Sequence, residues 1–200
     1  MKIFKENSYD IVRLYVNQLG IMIFSMLLYT AVGSFENEKL SSALSIFVSI
    51  FSVCFYLVLI YYVVWEIGAK DKIRIDGGRA EPCKHKGLIM GLFANVPNFV
   101  LGILTVLFIA IYLVSGNEII FSVFFVFNLI VRIHASMYMG VITAIVPSRV
   151  PVGGSEIDYV EFLIEALLFT LIPLISLAVT HLAYYLGSKD KKIFSFLSNK

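Results

Sequence analysis

Five long apolar stretches, separated by short polar segments, organise this chain. They run approximately over residues 12–32, 42–65, 88–113, 119–146 and 162–186. No charge falls between Ser42 and Trp65, and none between Leu88 and Asn117. A bilayer core about 30 Å thick needs roughly 20 apolar residues of helix to cross it. The stretches meet that requirement without the two-residue alternation of a membrane barrel strand. Lipid supplies no hydrogen bonds to the backbone, so each stretch is expected to be helical. The expected fold is an all-α polytopic bundle, a single membrane domain over residues 1–200 with about five transmembrane helices.

Composition agrees. The chain is 59% hydrophobic and only 15% charged, with a mean hydropathy of +0.87. A soluble domain carries about 25% charged residues. The start, with Glu6, Asp10 and Arg13, lacks the uninterrupted apolar core of a cleavable signal peptide. The first stretch is expected to direct insertion itself. Cys54, in the middle of a stretch, and Cys83, in a basic segment, are not expected to pair.

Basic residues set the expected orientation in a cell (inner) membrane. With the N-terminus cytoplasmic, the inner side holds Lys2, Lys5, Arg13, Lys70, Lys72, Arg74, Arg79, Lys84, Lys86 and Arg149. The outer side holds Lys39, Lys189, Lys191, Lys192 and Lys200. The basic C-terminal segment disagrees, because five crossings leave it outside; four or six would bring it inside, and the fourth stretch, about 42 Å as straight helix, could tilt, protrude or break near Arg132–His134. Tyr61, Tyr62 and Trp65 close the second stretch and Tyr184 and Tyr185 the last, where headgroup-level rings are expected.

The polar residues inside the stretches are few and patterned. Ser42, Ser45, Ser49 and Ser52, followed by Tyr56, repeat at alternating spacings of three and four. That forms one helical stripe, suited to close packing against another span or a second copy. Gly91, Asn95, Asn98 and Gly102 form a similar stripe around Pro97, which removes a backbone donor and bends a helix. Asn128 and Arg132 share a face in the fourth stretch, with His134 beside them. An arginine at mid-bilayer costs at least about 2.5–3.5 kcal/mol, so it must find protein or water. Glu165 is its expected partner, in a segment that also carries Asp158, Glu161, Pro173 and His181. Straight helices place the two about 10–15 Å apart in depth. Asn95, Asn98, Asn128, Arg132, His134 and Glu165 form the candidate intramembrane polar site.

The cytoplasmic loop 66–87 carries Lys70, Lys72, Arg74, Arg79, Lys84 and Lys86, a surface for anionic lipid headgroups or a partner. Asp76-Gly77 between short β-branched runs predicts a small hairpin there. Glu81, Cys83 and His85 alternate without a second cluster, so no metal and no cofactor is expected. Nucleotide-binding and hydrolase motifs are missing, as is a nucleic-acid footprint. The expected partners are membrane lipids, with a second copy or another membrane protein admitted by the serine stripe.

The expected function is that of a small transporter or a membrane subunit of a transport system. Two alternatives stand beside it. One is a non-catalytic accessory or regulatory protein docking through the basic loop. The other is a lipid-modifying intramembrane enzyme using Glu161, Glu165, His134 or His181.

Overall fold

The computed structural model describes residues 7–146 and 159–191. Lys2, Lys5, Arg149, Asp158, Lys192 and Lys200 lie outside them. The fold is an all-α helical bundle, 87% helical and without strands among the described residues. Its helices are α1 (Ser8–Gly33), α2 (Glu38–Asp76), α3 (Lys86–Ser115), α4 (Glu118–His134), α5 (Met139–Ile145), α6 (Tyr159–Leu171) and α7 (Leu174–Ser188). A 3₁₀ turn, Ser136–Tyr138, joins α4 to α5. The α6–α7 pair is interrupted only at Ile172 and Pro173, because proline lacks the amide that would continue the ladder.

Four helices are long and apolar enough to cross a membrane: α1, α2, α3 and the α6–α7 run. The bent α4–α5 pair raises the number to five if it counts as one span. This is a multi-pass membrane protein. Large apolar side chains face outward: Leu27 is 66% exposed, Phe47 66% and Leu129 52%. Gln18, Asn98, Thr105, Asn128 and Glu165 are buried instead. That inversion suits hydrocarbon as the surrounding solvent.

The helix ends explain themselves locally. At the end of α2, Gly78 adopts a left-handed φ of 68°. Its N–H donates to the Ile75 carbonyl, and the Arg79 N–H donates to the Arg74 carbonyl. This is a glycine-dependent helix stop. It corrects the expected hairpin: Asp76-Gly77-Gly78 ends a 39-residue helix rather than turning a strand. At about 58 Å, α2 outruns a bilayer core, and Lys70, Lys72 and Arg74 sit on its last turns. The next helix ends at Gly116, φ 63°, and Asn117 Oδ1 then accepts the Ile119 N–H to start α4.

The fourth stretch does not run through. The chain bends by 79° between α4 and α5. Neither proline nor glycine marks the place. The Ala135 N–H donates to the Val131 carbonyl at 2.8 Å and the Tyr138 N–H to the Ala135 carbonyl at 2.9 Å, the Gly140 N–H donates to Ser49 Oγ at 2.6 Å, and Ser136 Oγ ties the bend to the Met22 carbonyl of α1 at 2.8 Å.

The chain divides into two compact units. One comprises Met1–Asn17, Tyr56–Asn95 and Leu174–Lys200; the other comprises Gln18–Phe55 and Val96–Pro173. Each of the four long helices begins in one unit and ends in the other, whereas α4 and α5 belong wholly to the second.

In the first unit, glycines bring backbones together. A Cβ on Gly87 or Gly91 would meet Thr180, and one on Gly187 would meet the Trp65 carbonyl. Tyr184 OH donates to Asp71 Oδ2 at 3.0 Å, as does Lys86 Nζ at 2.6 Å. Trp65 Nε1 donates to the Lys191 carbonyl at 2.7 Å. Tyr184 is therefore buried; Tyr61 is buried as well, whereas Tyr62 and Tyr185 are exposed as interfacial rings would be. In the second unit, Tyr112, Phe121, Phe124, Tyr159 and Phe162 form an aromatic cluster, with ring centroids 4.8 Å apart for Tyr112 and Phe121 and 4.9 Å for Tyr112 and Tyr159.

Gly140 tests the packing of the bend. A Cβ there would collide with the Ser45 carbonyl oxygen. Gly140→Ala is expected to cost about 1–3 kcal/mol in detergent unfolding. Gly20→Ala, with nothing within 4 Å of the new methyl, is expected to be neutral or to stabilise by up to about 1 kcal/mol.

Candidate functional site

The second unit assembles most of the candidate polar site. Arg132, in the last turn of α4, donates from Nη2 to Glu165 Oε2 at 2.7 Å. Glu165 is wholly buried on α6, and the Arg132 side chain is 22% exposed. The depth mismatch expected for straight helices does not arise. The bend ends α4 just beyond Arg132, and the start of α6 packs beside the start of α4, where the Phe124 and Phe162 rings lie 5.6 Å apart. A charged pair inside a low-dielectric interior needs good geometry to offset desolvation. The short Nη2–Oε2 contact provides it.

One helical turn before Arg132, Asn128 is buried, and its Nδ2 has no hydrogen-bond partner among the described residues. A cleft opens beside the bend. It is bordered by Gln18 of α1, Asn98 of α3, His134 and Ala135 at the end of α4, Tyr138 of the 3₁₀ turn, and Phe169 and Pro173 at the end of α6. Its free volume, about 10 Å³, suits roughly one water molecule. Gln18 is 2% exposed, and its Oε1 finds no donor among the described residues.

Asn95 does not join this cluster. It belongs to the first unit and donates from Nδ2 to the Gly91 carbonyl of its own helix at 2.9 Å. The serine stripe grades from exposed Ser42 through half-buried Ser45 to buried Ser49 and Ser52. Its buried part serves the bend, through Ser49 and Gly140, within one chain. Of the basic residues, Arg74, Arg79 and Lys84 are exposed and Lys72 is half-buried. Lys70 pairs with Glu66 at 2.7 Å, and Lys86 turns inward to Asp71.

The imidazoles and carboxylates are divided. His181 belongs to the first unit and stacks on His85 with ring centroids 6.0 Å apart. His134, Glu161 and Glu165 belong to the second, and one Glu165 oxygen is engaged by Arg132. Among the described residues no three His, Cys, Asp or Glu side chains converge on a metal-sized site.

Sequence reasoning overlooked Gln18, Tyr138 and Asp71. Gln18 was legible as an amide within the first apolar stretch; Tyr138 was not, because its position depends on the bend. No protein-family model, no curated protein and no solved structure matches the chain.

Removing one partner of a buried pair leaves the other charge uncompensated. Arg132→Met is expected to lower unfolding stability in detergent by about 3–5 kcal/mol. The double variant Arg132→Met, Glu165→Met is expected to recover most of that loss, because two apolar side chains leave no buried charge. A double variant no more stable than Arg132→Met would contradict the pairing.

Proposed function

We propose that this chain is a small membrane transport protein, or the membrane subunit of a transport system, in which a polar solute passes the bend between α4 and α5. The observation that carries the reading is the buried Arg132–Glu165 pair beside a helix broken inside an apolar stretch. Ionisable residues at membrane depth characteristically mark solute or proton paths. Interrupted helices are tolerated there where they are buried in protein or border a water-filled cavity. Gln18, Asn98 and His134 bring polar groups to the cleft at the bend, which neither Arg132 nor Glu165 borders.

The reading includes a topology. The four long helices are the crossings, and α4–α5 enters and leaves from one side. An even number of crossings places Lys189 and Lys191 on the same side as Lys70, Arg74 and Lys84. That removes the disagreement left by five crossings. The positive-inside rule then puts this basic side, and the start of α1, in the cytoplasm.

Water access tests the proposal. In a chain with Cys54 and Cys83 changed to Ser, the single variants Gln18→Cys and His134→Cys are expected to react in membranes with a charged, lipid-insoluble thiol reagent. Ile103→Cys, at a 50% exposed apolar position, is expected to stay protected. Protection at both cleft positions would overturn the solute path.

A further inference from the structure

We propose that Arg74, Arg79 and Lys84, at the end of the first unit where α2 stops and α3 starts, form a binding surface for the headgroups of anionic phospholipids. The surface is a property of the folded protein and stands whether or not a solute passes the bend.

The structure sorts the basic residues of this segment into engaged and free. Lys70 is held by Glu66 at 2.7 Å, and Arg13 approaches the same carboxylate at 4.0 Å. Lys86 turns inward to Asp71 at 2.6 Å, with only 13% of its side chain exposed. Arg74, Arg79 and Lys84 are exposed and form no ion pair among the described residues. The fold also gathers them. The Asp71–Lys86 contact pins the start of α3 beside the last turns of α2. Arg74 lies about 4.5 Å of helix beyond Asp71, and Lys84 lies two residues before Lys86, so both project past the same clamp. The left-handed Gly78 turns the chain back at once, and the Arg79 N–H returns to the Arg74 carbonyl at 2.8 Å. The three cations therefore share one end of one compact unit.

The surroundings favour lipid over a soluble acidic partner. Ile73, between Lys72 and Arg74, is 72% exposed. A large apolar side chain beside cations suits the boundary between headgroups and acyl chains. Long basic side chains reach back along their own helix toward the phosphate level. At the same end of the unit Tyr185 is exposed and carries Lys189 Nζ 4.8 Å above its ring, a cation on an interfacial aromatic. Asp76 and Glu81 are also exposed and offset part of the charge. Lipids exchange and rearrange around each cation, so they tolerate that mixed pattern. A rigid acidic protein would meet both carboxylates as well as the cations. Orientation during insertion accounts for the sign of these charges; headgroup binding by the folded chain is a separate property with its own test.

The test uses the purified full chain in nonionic detergent, unfolded thermally in mixed micelles holding phosphatidylglycerol or phosphatidylcholine at equal mole fraction. Each basic residue near an anionic surface strengthens association roughly fivefold. Phosphatidylglycerol is expected to raise the midpoint by about 2–4 °C more than phosphatidylcholine. The difference is expected to vanish in about 0.5 M NaCl, where the Debye length falls to about 4 Å. The triple variant Arg74→Gln, Arg79→Gln, Lys84→Gln is expected to unfold normally in phosphatidylcholine and to lose the difference. Lys39→Gln, exposed in the first turn of α2 and in the other unit, is expected to keep it. Equal midpoints in the two lipids would overturn the proposal, as would a difference undiminished in the triple variant. If the triple variant does not fold, the salt series decides, and a difference undiminished in NaCl overturns it. An equal rise with inorganic phosphate would mean a free-anion site, and a rise with polyglutamate but not phosphatidylglycerol an acidic protein partner; either result would also overturn it.

Discussion

Everything in this structure follows from the absence of water around the helices. In hydrocarbon an unpaired backbone amide or side-chain charge has no solvent to fall back on. The sharpest case is the chain between His134 and Met139, where a helix stops inside an apolar stretch. That interruption is tolerable because protein supplies what lipid cannot. Ser49 takes the Gly140 N–H, Ser136 reaches the Met22 carbonyl, and the adjacent arginine is neutralised by Glu165. Without those three contacts the broken segment would be more costly than a straight helix.

The same constraint explains how the helices associate. Lipid tails are as apolar as leucine, so burying leucine between helices releases no ordered water. Close approach and shape have to serve instead. Gly87 and Gly91 sit against Thr180, Gly187 against the Trp65 carbonyl, Gly102 against Thr170 and Gly140 against the Ser45 carbonyl. At each, a methyl group would collide with its neighbour. Aromatic stacking does similar work around Phe124, which is fully buried among rings. The polar side chains are then free to occupy the interior at few, specific points.

How much of this could be read from sequence varies by element. The all-helical class was legible, because long uncharged stretches admit one solution in lipid. So was Glu165 as the partner of Arg132, since no other carboxylate in the apolar stretches is comparably placed. The depth argument against that pair failed because it assumed a straight fourth helix. The length of the fourth stretch, about 42 Å as straight helix, admitted a break near Arg132–His134, but the bend at Ala135 carries no proline or glycine and depends on Ser49 and Met22, distant in sequence, so its angle was not legible. The Asp76-Gly77-Gly78 segment was misread because glycine serves both a hairpin turn and a helix stop; here the preceding helix decides. Asn95 was grouped with the site by periodicity, yet its amide is used by its own helix. The four-residue spacing of Gly87 and Gly91 was readable as a close-packing signal and was passed over.

The central claim is that α4 and α5 enter and leave the membrane from one face, so that only four helices cross. Sided labelling addresses it most directly. Single cysteines would replace Asn117, before α4, and Val160, at the start of α6, in a chain without its native cysteines. An impermeant thiol reagent would then be applied to sealed vesicles of known orientation. The expected result is that both positions react from the same face. Reaction from opposite faces would mean that the fourth stretch crosses after all, and the bend would then be a kink in a fifth span.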